Sequence, residues 1–428
     1  MTLETPHHKS RERSDDGLHR AVSEPPGGPR AWLVWGTAAA VYLLAMFHRN
    51  GMSAAALHAQ ERFDLGPALL STLPVVQLAI YVLLQIPSGL LADRLGPRRS
   101  LVISLGVMAA GTILFALAPD ARTAVAGRVL IGAGDSLVFL NVIRVAALWF
   151  PRRQYSLVSA LTGLAGGLGQ LVSAAPLSAL LNGFGWEVSF LGAGAVNLLV
   201  GALVLLLVQD RPDGRRAPSH AFPSMRESLA EALSHRGPLV GMAAHAVIMV
   251  PFTVLGVLWG YPLLEEGYGL SARATGLLLT GAMVLPMALV PFLGRIPGSH
   301  PRARKPMALG LAWTVTLLWS GVVLWPGGLP PLPVAAAVIL VSAFASVLAP
   351  SISFDYARDG LPEQRTGAAS GLVNMSGFTS VMLGVVGAGI LLDMGGDEAS
   401  FQVAFVPMTL LCLTASTAMT VLLRRGRR

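Results

Sequence analysis

Four ionisable residues stand inside long apolar stretches of this chain: Arg49 with its neighbour His48, Asp135, and His245. An ionisable group deep in an apolar helix costs about 2.5–3.5 kcal/mol on insertion scales, so each requires a compensating role. The planar guanidinium of Arg49 has five donors and suits two-point capture of a carboxylate or phosphate. Its other reading is an internal ion pair with Asp135 that only locks two helices together. Asp135 follows Arg128 by seven residues, two helical turns away on the same side. A carboxylate in a dry cavity favours its neutral form, whereas an adjacent arginine favours the charged one. An anion that took over the arginine would therefore leave the aspartate ready to accept a proton, coupling the two; the alternative is a permanent Asp–Arg bridge. His48, with a reference pKa of about 6.5, either flanks such a site, titrates, or serves helix packing. His245 reads as a hydrogen-bonded structural residue.

Neutral polar groups extend the set. Tyr81 and Gln85 are four apart and share a helix face, and Asn141, Gln170 and Asn374 stand in three further apolar stretches. Together they read as the lining of a cavity, although any one could hydrogen-bond between helices. No serine-nucleophile, Walker, dinucleotide or zinc-ligand pattern groups the remaining Ser, His and Asp residues. The expectation is a protein that is not an enzyme, with no cofactor and no metal. The single cysteine, Cys412, lies in an apolar run and forms no intrachain disulfide.

The elements that must position these residues are membrane helices. Of the 428 residues, 53% are hydrophobic and 13% charged, far below the roughly 25% charged of a soluble domain. The net charge of +8 does not signal nucleic acid, because the basic residues separate apolar runs instead of forming a patch. Twelve runs near the ~20 residues needed to cross a bilayer as helix fall at 31–57, 68–91, 100–118, 123–149, 155–181, 186–208, 239–264, 271–292, 306–325, 332–353, 366–392 and 400–423. They form two six-helix halves, 31–208 and 239–423, joined by a loop at 209–238. A disordered basic tail covers 1–30 and a short basic tail 424–428. Within the loop, Phe222, Met225, Leu229 and Leu233 recur at helical spacing, as in a short surface helix. With the N-terminus inside, 25 of the 31 Lys and Arg residues fall on the inner side and only Arg62, Arg122 and Arg273 outside. That imbalance places both termini in the cytoplasm of a cell-membrane protein. Glycines crowd the fifth run (Gly163, Gly166, Gly167, Gly169) and the eleventh (Gly367, Gly371, Gly377, Gly384, Gly387, Gly389), where they serve sliding or static close packing.

Between the second and third runs, residues 89–101 read GLLADRLGPRRSL. Asp93-Arg94, then Gly96-Pro97, then Arg98-Arg99 spell a tight water-facing turn. This stretch resembles the loop signature G-x-L-x-D-R-x-G-x-R-R/K of the major facilitator superfamily. The twelve spans, the long central loop, and Arg128 followed by Gly132 and Gly134 strengthen the likeness. It implies an all-α integral membrane protein of 12 transmembrane helices, with Gly89, Asp93, Arg94, Gly96, Arg98, Arg99 and Arg128 as a conformational switch. Asp93 would latch across to the other half near Thr366, where a helix N-terminus favours negative charge.

FHRNGMSAAAL at 47–57, YVLLQIPSGLLADRLGPRR at 81–99, RVLIGAGDSLVFLNVIRVAALWFP at 128–151 and GAASGLVN at 367–374 further resemble the anion:cation symporter branch. That resemblance implies substrate contacts from Arg49, Tyr81, Gln85 and Asn374 and a protonatable carboxylate at Asp135. His48 stands where that branch has an acidic residue. The expected activity is alternating-access, proton-coupled uptake of a small organic anion, a carboxylate or sugar acid, by a monomer in the lipid bilayer. The alternatives are proton-antiport efflux of a drug-like compound or metabolite, and a non-transporting membrane sensor. Ala165-Gly166-Gly167-Leu168-Gly169-Gln170 has the glycines of the efflux-branch element without its proline.

Overall fold

The computed structural model describes residues 27–210, 212, 225–293, 301–357, 359–361, 366–395 and 400–425. Prolines at first turns, where no N–H is needed, open many of the helices: α1 (Pro29–Phe63), α2 (Pro67–Leu95) and α3 (Pro97–Ala116). The Asp120 side chain caps the next helix by accepting from Thr123 N at 2.8 Å, and that bond holds its carboxyl below the usual range. α4 (Ala121–Asp135) and α5 (Val138–Trp149) are two segments of one crossing. α6 (Arg152–Val172) and α7 (Ala175–Leu207) follow. Gly185, at φ 77°, kinks α7 into the end of the fifth crossing and the whole of the sixth.

The second half begins after α8 (Met225–Ser234), whose Ala232 packs against Ala357, Ala369 and Val373. α9 (Arg236–Ile248) and α10 (Val250–Gly267) meet at a 50° bend and make one broken crossing. α11 (Ala272–Leu293), α12 (Pro301–Val323), α13 (Leu332–Ala357) and α14 (Thr366–Gly395) come next. α15 (Phe401–Ala404) and α16 (Val406–Arg425) form the last crossing. Among the described residues nine helices are long and apolar enough to span, ten with the bent pair. Splitting the 51-residue Leu157–Leu207 run at Gly185 and adding α11 gives twelve crossings.

The two halves repeat their wiring. In the first, Arg98 near the start of α3 donates to the Leu205 carbonyl at the end of the sixth crossing. In the second, Lys305 near the start of α12 donates to Leu423 O at the end of the twelfth, at 2.7 Å. Each puts a cation on the negative end of a helix. At the opposite face Trp186 Nε1 donates to Phe115 O, 3.3 Å, and Gln402 Nε2 to Trp325 O, 2.6 Å. Each joins the start of a half's sixth crossing to the end of its third.

Close packing depends on glycine where backbones meet. A Cβ on Gly111 would lie 2.7 Å from Gly127 O, and one on Gly134 2.7 Å from Ser104 O. Gly132 leaves no room against the backbone of Gln77. In the glycine-rich fifth and eleventh crossings, Gly169 presses on the Leu43 carbonyl and Gly389 on Pro67 O, yet Gly163 and Gly371 have nothing within 4 Å. α10 carries two π turns, Leu255–Trp259 and Leu263–Gly267. Ser53 of α1 enters the first, donating to Leu255 O at 2.9 Å and accepting from Tyr261 N at 3.4 Å. Inserted side chains are an identified cause of such ladder breaks.

Candidate functional site

Arg49 lies midway along α1 and Asp135 is the last residue of α4, just before the Ser136–Leu137 break that separates it from α5. The break is held locally: Ser136 Oγ donates to Ala133 O at 2.7 Å and lies 2.6 Å from Ser88 Oγ. Asp135 thus ends a rigid glycine-packed segment. Arg49 grips it by fork geometry, Nε to Oδ2 at 3.0 Å and Nη2 to Oδ1 and Oδ2 at 2.8 and 2.9 Å. The side chains are 6% and 1% exposed. A two-point pair of this kind offsets the cost of taking both charges out of water.

Two aromatic rings complete the environment. The guanidinium carbon sits 4.0 Å from the ring centre of Tyr81 in α2 and 5.4 Å from that of Phe378 in α14. The rings meet edge to face at 5.6 Å. Cation–π contacts in dry surroundings are worth up to ~2 kcal/mol. Phe378 belongs to the second half, so this site is built by both halves.

The other residues singled out in the sequence are distributed more widely. Arg128 does not approach Asp135 as its ion-pair partner. It donates from Nη1 to Gln77 Oε1 at 2.8 Å and to His48 O at 3.3 Å, with its guanidinium 4.1 Å from the Phe115 ring centre. The His48 ring turns to Asn197 in the sixth crossing, Nε2 lying 2.9 Å from Nδ2, so it packs inside the first half. Asn141 is fully buried and donates to Leu137 O one turn back, at 2.6 Å. Gln85, Gln170 and Asn374 are half-buried. Gln85 stands one turn from Tyr81, and Asn374 one turn from Phe378. His245 is buried beside Phe354 and Gly377, and its Nδ1 has no hydrogen-bond partner among the described residues. The hydrogen-bonded role expected of His245 is not what this nitrogen does.

Of the switch stretch, Gly89 lies within α2. Gly96 adopts φ 80° and leaves Asp210 close enough to accept from Arg98 N at 2.8 Å, and Arg99 follows in the first turn of α3. The side chains of Asp93, Arg94 and Thr366 lie outside the described residues. The residues that sequence reasoning missed are Phe378, Gln77 and Asn197. Gln77, Tyr81 and Gln85 are spaced by four, so the face was visible. Phe378 carried no signal, since an aromatic in an apolar helix is ordinary.

Comparison with known proteins bears on the whole chain. The Major Facilitator Superfamily matches residues 38–384. An uncharacterized transporter, YybO of Bacillus subtilis (strain 168), is 29% identical over 174 residues, 41% of this chain and 40% of that protein. The hexuronate transporter of the same organism is 23% identical over 352 residues, 79% of this chain and 82% of its own. This chain spans less than half the length of the first curated relatives it matches. Other relatives bear names for the transport of sulfoacetate, tartrate and nitrate/nitrite, and one is a methylenomycin A resistance protein. Among solved structures, a bacterial homologue of the human lysosomal transporter Spinster, inward-facing and unoccupied, superposes with TM-score 0.74 at 14% identity. It covers 93% of this chain and 98% of that one.

Proposed function

We propose, because the chain belongs to the Major Facilitator Superfamily and is a transporter and not an enzyme, that it carries a small organic anion into the cell together with a proton. The observation that carries this reading is the buried Arg49–Asp135 fork roofed by Tyr81 and Phe378. Arg49 is the natural anion receptor, and in this state its acceptor is an internal carboxylate. An incoming carboxylate or sulfonate competes for the same Nε and Nη2 donors. Asp135, stripped of its cation in an apolar interior, takes up a proton because an isolated buried carboxylate is too costly. Release on the other side returns Asp135 to Arg49 and frees the proton. The names of relatives, hexuronate, sulfoacetate, tartrate and nitrate among them, support an anionic cargo.

Gln85, Gln170 and Asn374 are the neutral groups that would hydrogen-bond the rest of the substrate. The basic bias of the connections orients both termini to the cytoplasm of a cell membrane. The test is uptake into proteoliposomes under an imposed inward proton gradient. Concentrative accumulation of a carboxylate that collapses with the gradient is the expected result. Accumulation of a lipophilic cation in inside-out vesicles, with no carboxylate flux, would replace this reading with efflux.

A further inference from the structure

The Arg49–Asp135 pair is one rung of a ladder between the first and fourth crossings, and the next rung is aromatic. Tyr42 precedes Arg49 by seven residues, two turns along the same face of α1 and about 10 Å toward its N-terminal end. Phe139 follows Asp135 by four residues, just past the Ser136–Leu137 break. The two rings meet with their centres 5.3 Å apart, tilted by 47°. Tyr42, like Tyr81, is near enough to Arg49 to interact with its charge.

This second rung is open where the first is closed. Phe139 is 45% exposed and Tyr42 half-buried, and the Tyr42 hydroxyl has no hydrogen-bond partner among the described residues. The ring end lies over Gly166 of the fifth crossing, where a Cβ would stand 2.5 Å from Cε1. A Cβ on the next residue, Gly167, would meet the Met287 methyl of the second half, and one turn back Gly163 has nothing within 4 Å. The fifth crossing here looks toward the other half, so the open side of the ring pair lies between the halves and not in lipid. Polar side chains near Arg49 are largely spent on the protein itself. Asn50 donates to Met46 O and Asn141 to Leu137 O, while Gln77 serves Arg128 and Asn197 serves His48. Gln85, Gln170, Asn374 and the Tyr42 hydroxyl are the groups left for a cargo. A sugar acid brings a hydroxyl on nearly every carbon, and each one left unpaired on leaving water carries a penalty. A flat ring needs no such partners and gains from offset or edge contact with Tyr42 and Phe139.

Resting on the anion-uptake reading above, we infer that the cargo is an aromatic acid. Its carboxylate or sulfonate takes the place of Asp135 on Arg49, and its ring packs on Tyr42 and Phe139, where the Tyr42 hydroxyl bonds a polar substituent. The test is binding to the full chain at neutral pH, by thermal shift and competition, of 4-hydroxybenzoate against glucuronate. Each is a six-membered ring with one carboxylate, the first flat and the second rimmed with hydroxyls. The expected result is that 4-hydroxybenzoate binds about tenfold tighter or more. Tyr42→Phe should remove the preference for 4-hydroxybenzoate over benzoate, about three- to tenfold for one hydrogen bond, with melting of the ligand-free protein unchanged. Phe139→Ala should weaken both aromatic acids. Equal or tighter binding of glucuronate, or 4-hydroxybenzoate affinity unmoved in either variant, overturns the aromatic-acid inference and leaves anion uptake standing. Tartrate and nitrate in the same assay separate the remaining failures. If either binds and neither ring acid does, this inference alone falls; no response of the folded protein to any of these anions removes the anion reading with it.

Discussion

At the scale of single residues, the Arg49 fork separates two roles that spacing alone leaves joined. Replacing Arg49 by Lys keeps the charge but removes the planar pair of donors. The expected loss is about 1.5–3 kcal/mol, roughly 10- to 100-fold in substrate affinity, measured by thermal shift or transport competition; unchanged affinity would reduce Arg49 to a helix lock. Asp135→Asn should abolish gradient-driven accumulation while substrate exchange across the membrane continues. Normal accumulation in that variant would remove Asp135 from coupling. Arg49, Asp135 and Tyr81 could be picked out in sequence because polar groups in apolar helices are costly and therefore conspicuous. The rotation of each side chain was not legible. His48 and Arg49 are adjacent yet face Asn197 and Asp135 respectively, and only the packing of the fourth and sixth crossings decides that. Phe378 was invisible for the opposite reason, since its burial costs nothing.

At the scale of elements, hydropathy located the crossings because a lipid-spanning helix must be long and apolar. The interruptions within them escaped. The Ser136–Leu137 break, the bend between α9 and α10 and the π turns of α10 arise from contacts with neighbouring helices, as with Ser53 on Leu255. The glycine-dense runs illustrate the same limit. Gly132→Ala should force α4 off the Gln77 backbone and destabilise by about 1–3 kcal/mol, visible as a lowered melting temperature and reduced uptake. Gly163→Ala and Gly371→Ala meet open space and should leave melting unchanged or raise it slightly. A large loss at either of the last two would show that these positions close up during the transport cycle.

At the scale of the whole molecule, the described residues of the two halves touch on one side. Gly389 lies against Pro67 O, Tyr261 meets Ser53, and Gly276 lies against Ala175, all toward the side away from the chain ends. On the side of the chain ends, Arg304 pairs with Asp359 and Asp355, and Arg98 meets Asp210, each within one half. A Cβ on Gly389 would stand 2.7 Å from the Pro67 carbonyl oxygen and 3.1 Å from the Ser71 Cβ, too close for either to stay where it is. Gly389→Ala should therefore pry these helices apart, lowering the melting temperature and making a Ser71→Cys thiol react faster with a maleimide. Background is low because the single native cysteine, Cys412, is buried. Unchanged labelling and melting in the well-expressed double variant would mean that this close approach is not present in the populated state.

The irregular stretch of α10 has a consequence for counting along the chain. Each π turn accommodates one residue more than an α turn, and one residue corresponds to about 100° of rotation. The first therefore shifts Gly260–Pro262 by about 100° relative to a regular helix, and the second adds a like step by Gly267, where the helix ends. Ser53 is the wedge that keeps the first extra residue in place. Loss of one residue between 255 and 259 would therefore not cut the helix. It would rewind it by one step and swing Tyr261, whose hydroxyl now lies 3.0 Å from where a Cβ on Gly276 would stand, off the seam between the halves. In this segment chain length behaves as an angular setting, and a single-residue deletion would change which face of the seventh crossing meets its partner.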